Sequence, residues 1–156
     1  MDDSGQLDAV DVSATKLRLL GETMQRLGHR SVRAVQADLT ARDAPLASAY
    51  DVVVLDAPCS GSGVLRRHPD AKWRMQPSNL TALAATQTAL LDALLARVAP
   101  GGALIYSVCS LAVKEGAGQI AAALARHPQW RLVAEERTWP HRDNADAFYL
   151  ARLERA

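Results

Sequence analysis

The stretch Tyr50-Asp-Val-Val-Val-Leu-Asp-Ala-Pro-Cys-Ser-Gly-Ser-Gly63 is the most specific in the chain. Its first half, Tyr50–Asp56, is a continuous β-branched run, typical of a parallel strand that is buried on both faces. The second half places a carboxylate, a proline, a thiol and two glycines directly beyond that strand. Open α/β sheets bind their ligands at the carboxyl ends of the strands, so we expect the chemistry to lie in this turn.

Strand-like and helix-like patterns alternate on both sides of this stretch. Gln6–Val12 is a predicted strand, and Ser13 is a good N-cap for a predicted helix over 14–27 that ends at Gly28. Further strands are predicted at 31–37, 103–107, 130–134 and 147–153, and further helices at 78–98 and 112–126. This alternation favours a doubly wound α/β sheet.

Length and composition fit one globular domain over residues 1–156. The 156 residues are 49% hydrophobic and 22% charged, which excludes a disordered tail or a coiled coil. The net charge is only +1, so any nucleic-acid contact would come from a local basic patch. Apolar stretches fall far short of the ~20 residues that cross a bilayer, and no secretory signal pattern is visible, so we expect a cytoplasmic protein without membrane contact.

Two cysteines follow predicted buried strands. Cys59 and Cys109 form no Cys-x-x-Cys pair, so neither a disulfide framework nor a zinc site is indicated, and no metal is expected. Because the carboxyl ends of parallel strands share one edge of the sheet, both thiols are predicted to face one cleft. Inert packing in the core is the alternative interpretation for each of them.

Three aspartates also stand at the ends of successive predicted strands. They are Asp11, Asp38 and Asp56, and all three fall on the ligand-binding edge of a parallel sheet. A carboxylate at this place commonly binds the hydroxyl groups of a cofactor ribose. Capping of the following helix is the alternative role for Asp11.

Two simpler motifs do not fit the turn. A nucleophile elbow requires Gly-x-Ser-x-Gly, but Ser60 stands two positions before Ser62. A dinucleotide fingerprint that starts at Gly61 would need glycine where Arg66 stands. The turn is therefore not expected to serve either chemistry.

The two cysteine blocks resemble the signature blocks of the Sun (RsmB-like) RNA cytosine-5 methyltransferases. The blocks are Asp56–Gly63, with Pro69 and Trp73 behind it, and Pro100–Ser110, and the similarity runs through nearly the whole chain. The resemblance implies a Rossmann-like methyltransferase sheet, mostly parallel with an antiparallel last strand. It also implies an N-terminally truncated domain, because the family's first strand and glycine-rich loop are lacking. Ala147 stands where the family usually has glycine.

The resemblance also implies an activity and residue roles. The family methylates carbon 5 of cytosine in RNA with S-adenosylmethionine, and ribosomal RNA is the expected substrate. The cysteine that matches Cys109 attacks the pyrimidine and the one that matches Cys59 helps to release the product, while carboxylates matching Asp11, Asp38 and Asp56 hold the cofactor. Methylation of transfer RNA or DNA, or an inactive paralogue that serves as an RNA-binding or interaction module, remain as alternatives.

Elementary chemistry agrees with two thiols in one site. Carbon 5 of cytosine is not nucleophilic until a thiolate adds at carbon 6 and converts the ring into an enamine-like nucleophile. A second group must then remove the carbon-5 proton before the first thiol can leave. Two cysteines can divide these two tasks.

A basic segment follows the first cysteine block and is a candidate RNA contact, together with Pro58 of the block itself. Arg66, Lys72 and Arg74 could bind phosphates while Trp73 stacks on a splayed base. A solvated basic loop, with Trp73 packed in the core, is the alternative interpretation.

Overall fold

The computed structural model describes residues 3–41 and 44–155, and it divides into two compact units, Met1–Ser48 and Ala49–Ala156. In chain order the elements are β1 (Leu7–Asp11), α1 (Ala14–Leu27), β2 (Val32–Gln36), β3 (Tyr50–Asp56), α2 (Ala71–Arg74), α3 (Pro77–Leu95), β4 (Val98–Val108), α4 (Ala117–Arg126), β5 (Trp130–Arg137), α5 (Pro140–Asp143) and β6 (Tyr149–Arg155).

The N-terminal unit is a β1–α1–β2 element in which the two strands pair in parallel and α1 packs on both. Helix α1 begins where the Oγ of Ser13 accepts a hydrogen bond from the backbone N–H of Lys16. It ends at Gly28, whose φ of 75° is a left-handed conformation that glycine adopts without steric strain. The two capping residues therefore fix the helix at the predicted bounds.

The C-terminal unit is built on a four-stranded sheet with the order β3-β4-β6-β5. Strands β3 and β4 run parallel, and β6 runs antiparallel to both of its neighbours. The prediction of a parallel sheet with an antiparallel last strand is therefore confirmed. Helices α3 and α4 contact each other and pack on β4 and β5 respectively, so they cover one face of this sheet.

Burial of the sheet is one-sided, and the prediction that β3 is buried on both faces was wrong. Leu55 pairs with Tyr106 on the face that the helices cover, and these residues are only 5% and 0% exposed. On the opposite face of β3, Val52 and Val54 are 56% and 66% exposed. The run Val52–Leu55 cannot distinguish one covered face from two, because its residues are apolar on both faces of the strand.

Several predicted bounds differ from the observed ones because local hydrogen bonding overrides the residue pattern. Helix α3 begins at Pro77, with Gln76 as its N-cap residue, and not at Ser78, where the predicted helix begins. Proline suits the first helical position, where its missing N–H leaves no bond unmade. Strand β4 begins at Val98 and not at Ala103, because Val98 already pairs with β3 ahead of a β-bulge.

Candidate active site

The two cysteines lie side by side at the carboxyl ends of β3 and β4. Cys59 is the third residue after β3, Cys109 directly follows β4, and their Sγ atoms are 3.3 Å apart. Both are free thiols and half-buried. Next to them, the backbone N–H of Ala57 donates to the carbonyl of Ser107 at 2.9 Å and so continues the pairing of the two strands. The structure thus brings together the two thiols that the sequence placed on one edge.

The two thiols are not equivalent in their surroundings. Burial raises the pKa of the Cys59 thiol to about 12, and the neighbouring Cys109 sulfur adds to the rise, against the backbone N–H of Gly61, which lowers it. Cys59 therefore holds its proton at neutral pH. A protonated thiol at this distance can donate a hydrogen bond to the Cys109 sulfur.

A fully buried carboxylate, Glu115, lies behind the two cysteine loops. Its Oε1 accepts the backbone N–H of Ser60 at 2.9 Å and the amide of Gln87 at 3.2 Å. Its Oε2 accepts the hydroxyl groups of Ser60 and Ser110 at 2.6 Å and 2.5 Å. Buried charges are tolerated where several groups donate hydrogen bonds to them, and four donors surround this one.

Sequence reasoning missed Glu115, because the segment around it was expected to belong to a helix over 112–126. The observed helix α4 starts only at Ala117, and Glu115 stands in the turn before it. The usable signal was a lone carboxylate within a few residues of a candidate catalytic cysteine. Ser60 and Ser110, which directly follow the two cysteines, were also missed as members of this network.

Three serine hydroxyl groups extend the network between the loops. The Oγ of Ser62 lies 3.2 Å from that of Ser60 and 3.1 Å from that of Ser110. It also accepts the backbone N–H of Leu111 at 2.9 Å. The loop after β3 and the loop after β4 are therefore joined by side chains as well as by the thiols.

The backbone of Gly63 lies between two other segments, those of Cys109 and Ala147, and is hydrogen-bonded to both. Its N–H donates to the carbonyl of Cys109 and its own carbonyl accepts the N–H of Ala147, both at 3.0 Å. A Cβ atom at this position would lie 2.1 Å from the carbonyl oxygen of Ala147. The position needs glycine for close backbone approach, since an added methyl group has no room.

The basic segment is exposed, but its arginines pair with carboxylates. Arg67 lies 2.5 Å from Asp146, and Arg66 lies 3.7 Å from the same carboxylate, which is only 11% exposed. Arg74 pairs with Asp70 one helical turn away. Among the cations of the predicted RNA contact, two are thus partly neutralised within the protein.

Lys72 and Trp73 form the outermost part of this segment, on the short helix α2. The Trp73 side chain is 78% exposed, which excludes the alternative that it packs in the core. The Nζ of Lys72 lies 4.7 Å from the centre of the Trp73 ring, within cation–π range. Pro58 is also exposed, and its carbonyl accepts a hydrogen bond from the amide of Gln87 at 2.8 Å.

The three predicted cofactor carboxylates are divided between the two units. Asp11 ends β1, and hydrogen bonds from the backbone N–H of Ser13 and from Lys16 hold the pKa of its carboxyl group below the usual range. Asp38 follows β2, and hydrogen bonds from the side chain and backbone of Thr40 lower its pKa. Asp56 ends β3 in the C-terminal unit and is exposed.

Neither a metal-binding cluster nor a membrane-crossing helix is found in residues 3–41 and 44–155. No group of three or more His, Cys, Asp or Glu side chains there is arranged to hold a metal ion. In the same residues, no helix has the length and apolar character needed to cross a membrane.

Comparison with known proteins identifies relatives over the whole chain. The chain is 36% identical over 173 residues to the probable ribosomal RNA small subunit methyltransferase B of Synechocystis sp., covering 100% of this chain and 39% of that protein. It is 38% identical over 157 residues to the ribosomal RNA small subunit methyltransferase B of Vibrio vulnificus, covering 93% and 35%. It therefore spans less than two fifths of the length of these two relatives.

A solved structure shares the fold. The crystal structure of NSun6 from Pyrococcus horikoshii superimposes with a TM-score of 0.86 at 27% sequence identity, covering 99% of this chain and 42% of that one. The family model described as 16S rRNA methyltransferase RsmB/F matches residues 1–154. With nearly the full chain matched and the fold shared, the chain belongs to the RsmB/F family of 16S rRNA methyltransferases.

Proposed function

We propose that this chain carries the catalytic thiols of an S-adenosylmethionine-dependent enzyme that methylates carbon 5 of cytosine in ribosomal RNA. The observation that carries the proposal is the 3.3 Å separation of the Cys59 and Cys109 sulfur atoms at the ends of neighbouring parallel strands. Cytosine-5 chemistry needs a nucleophile and a proton acceptor near one base, and two adjacent thiols supply both. The relatives' names support ribosomal RNA as the substrate, and such a substrate would place the enzyme in the bacterial cytoplasm.

Cys109 acts as the nucleophile in this proposal. Its thiolate adds to carbon 6 of the target cytosine, which forms a carbon–sulfur bond and moves the ring electrons to carbon 5. Carbon 5 then accepts the methyl group and still carries its proton. Loss of that proton to a base restores the double bond and breaks the bond to the Cys109 sulfur.

Cys59 acts in the release step, and its pKa supports this division of tasks. Because burial raises the pKa of Cys59 to about 12, this thiol keeps its proton at neutral pH and is not assigned the role of attacking thiolate. It can donate a hydrogen bond to the Cys109 sulfur while that sulfur attacks. After methyl transfer, Cys59 must first give up its own proton to solvent, and its thiolate can then accept the proton from carbon 5.

Asp11, Asp38 and Asp56 are proposed to hold S-adenosylmethionine, which when bound supplies an electrophilic methyl group. Asp11 and Asp38 end or follow the paired strands β1 and β2, and Asp56 ends β3 in the other unit, in each case at the carboxyl side of a parallel strand, where such sheets bind ligands. Both Thr40 hydrogen bonds to Asp38 go to Oδ1, and Asp11 accepts from Ser13 on Oδ1 and from Lys16 on Oδ2, although an oxygen can accept two hydrogen bonds. Carboxylates with remaining acceptor capacity can bind ribose hydroxyl groups.

RNA is proposed to contact the exposed Lys72 and Trp73, with Pro58, Arg66 and Arg74 around them. Trp73 offers an open ring face, and base stacking on an aromatic side chain contributes ~1 to 3 kcal/mol. The Arg74–Asp70 pair is exposed on both sides, so a phosphate can replace Asp70 at little loss because such pairs contribute only ~0 to 1 kcal/mol. If Arg66 turns to a phosphate, Asp146 keeps its closer partner Arg67.

Trapping with RNA that contains 5-fluorocytosine tests the catalytic assignment in the full chain. Fluorine at carbon 5 cannot leave as a proton does, so the covalent adduct accumulates after methyl transfer. We expect an adduct with the native chain and with Cys59→Ala, and none with Cys109→Ala. An adduct that survives Cys109→Ala but is lost in Cys59→Ala would reverse the two roles.

Calorimetric titration with S-adenosylmethionine tests the cofactor assignment separately. Asp11→Asn and Asp38→Asn should each weaken binding by about tenfold, the effect of losing one hydrogen bond to a charged group. Asp8→Asn is the matched control, since Asp8 lies on β1 as well but pairs with Arg33 of β2. Equal affinity of all three variants would refute the carboxylate assignment.

A further inference from the structure

We propose that Glu115 is a positioning residue that holds the Cys59 and Cys109 loops at their working separation. The inference rests on the proposed function, because it assumes that the two thiols act on one base. Glu115 accepts hydrogen bonds from two serines, of which Ser60 directly follows Cys59 and Ser110 directly follows Cys109. One carboxylate thus contacts the neighbour of each thiol.

The carboxylate joins two segments that are far apart in the chain. Ser60 and Ser110 are separated by 50 residues, and both donate their hydroxyl groups to the same Oε2 atom. Ser60 adds its backbone N–H to Oε1, which fixes the main chain beside Cys59 and not only a side chain. A rotation of either loop away from the other would break at least one of these bonds.

Glu115 is itself held from behind by two rigid elements. Gln87 of α3 donates its amide to Oε1 at 3.2 Å. Tyr106 of β4 is fully buried and donates its hydroxyl to the Glu115 carbonyl oxygen at 2.6 Å. Through these bonds, Glu115 fixes both cysteine loops relative to α3 and β4.

A positioning role explains the buried charge better than a chemical role does. Glu115 is 0% exposed, so it cannot reach a base that binds at the half-buried thiols. A buried carboxylate carries a large desolvation penalty, and it is weak evidence for stability as such. Its four hydrogen bonds define the geometry of the loops beside the reacting sulfurs, and catalysis is sensitive to displacements of about 1 Å there.

Disulfide closure between the two thiols measures this separation without RNA or cofactor. Diamide accepts two electrons and two protons as the two thiols join, so the reaction needs only the oxidant that is added. The Sγ atoms must approach from 3.3 Å to a bond of about 2.05 Å, which makes the rate sensitive to how the loops are held. Reactivity of each thiol alone is measured with a maleimide in Cys59→Ala and Cys109→Ala.

We expect Glu115→Ala, in the full chain, to close the disulfide about tenfold more slowly than the native protein after correction for single-thiol reactivity. Glu115→Gln should recover most of the rate, because its carbonyl accepts from Ser60 N–H and its amide can donate to both serine hydroxyl groups, which rotate to accept. Asp92→Ala is the control, since Asp92 pairs with Arg126 and should leave closure unchanged.

A corrected rate for Glu115→Ala within about twofold of the native rate, in a protein with native circular dichroism, would overturn the proposal. If Glu115→Ala does not fold, Ser110→Ala decides, with closure expected to slow by about fivefold and an unchanged rate overturning the proposal. Disulfide closure is measured without RNA, so the two experiments can fail separately. Absence of the 5-fluorocytosine adduct would refute the proposed function, whereas an unchanged closure rate would refute the role of Glu115.

Discussion

Replacement of Gly63 by alanine tests how tightly the backbone is packed beside the two thiols. The new Cβ would lie 2.1 Å from the carbonyl oxygen of Ala147, about 0.9 Å inside the 3.0 Å limit that real Cβ atoms respect. The segments must separate, which strains or breaks the hydrogen bonds to Cys109 and Ala147. With about 1 kcal/mol for each of the two bonds and about 1 to 3 kcal/mol for overpacking, we expect the free energy of unfolding to fall by about 3 to 5 kcal/mol.

Urea denaturation followed by tryptophan fluorescence and far-ultraviolet circular dichroism measures this loss. For a denaturant slope of about 1 to 3 kcal/mol/M, the urea midpoint should fall by at least about 1 M. Gly21→Ala is the matched control: it lies inside α1, where an added Cβ meets nothing within 4 Å, and should stabilise by about 0.5 to 1 kcal/mol. The reasoning is refuted if Gly63→Ala unfolds at the native midpoint.

Three further outcomes follow from single side chains. In Cys109→Ala, iodoacetamide should alkylate Cys59 at a rate that rises only above about pH 10, because burial raises the pKa of this thiol. A half-maximal rate at a pH near the ordinary cysteine pKa of ~8.5 would contradict this. Asp3 has a pKa of about 2 because the side chain and backbone of Ser31 donate hydrogen bonds to it, so its carboxylate stabilises the fold above its unfolded pKa of 3.8. Urea unfolding should therefore show the native protein to be more stable than Asp3→Asn at about pH 5, and this difference should vanish as the pH falls to about 2. Tyr106→Phe leaves the buried carbonyl of Glu115 without its donor, and thermal unfolding should show a loss of about 1 to 2 kcal/mol, whereas an unchanged stability would show that another group replaces the hydroxyl.

Local signals in the sequence predicted the N-terminal unit well. Ser13 and Gly28 mark α1 by chemistry that acts within a few residues, one as an acceptor for an unpaired N–H and the other as a left-handed terminus. The edge position of the two cysteines was also predictable, because each follows an apolar strand and parallel strands end together. These inferences need no knowledge of long-range contacts.

The polar network behind the thiols could not be predicted in the same way. Glu115 differs from a surface glutamate only through its partners Ser60 and Gln87, which come from other parts of the chain. The pairing of Asp146 with Arg67 likewise joins the end of the chain to the basic segment. Such contacts form only when the sheet is assembled. A pattern of charges along the sequence therefore predicts a free basic patch, whereas in the structure carboxylates partly neutralise this patch.

The position of β3 in its sheet has a consequence for how the protein behaves in solution. Within the described residues β3 has β4 as its one neighbour, so it is an edge strand, and Val52 and Val54 are exposed on it. A β-branched edge strand is a template for strand addition by another molecule or another segment. We therefore expect the 156-residue chain, taken alone, to associate more as its concentration rises, and Val54→Lys should reduce this association in analytical ultracentrifugation without disturbing the buried face.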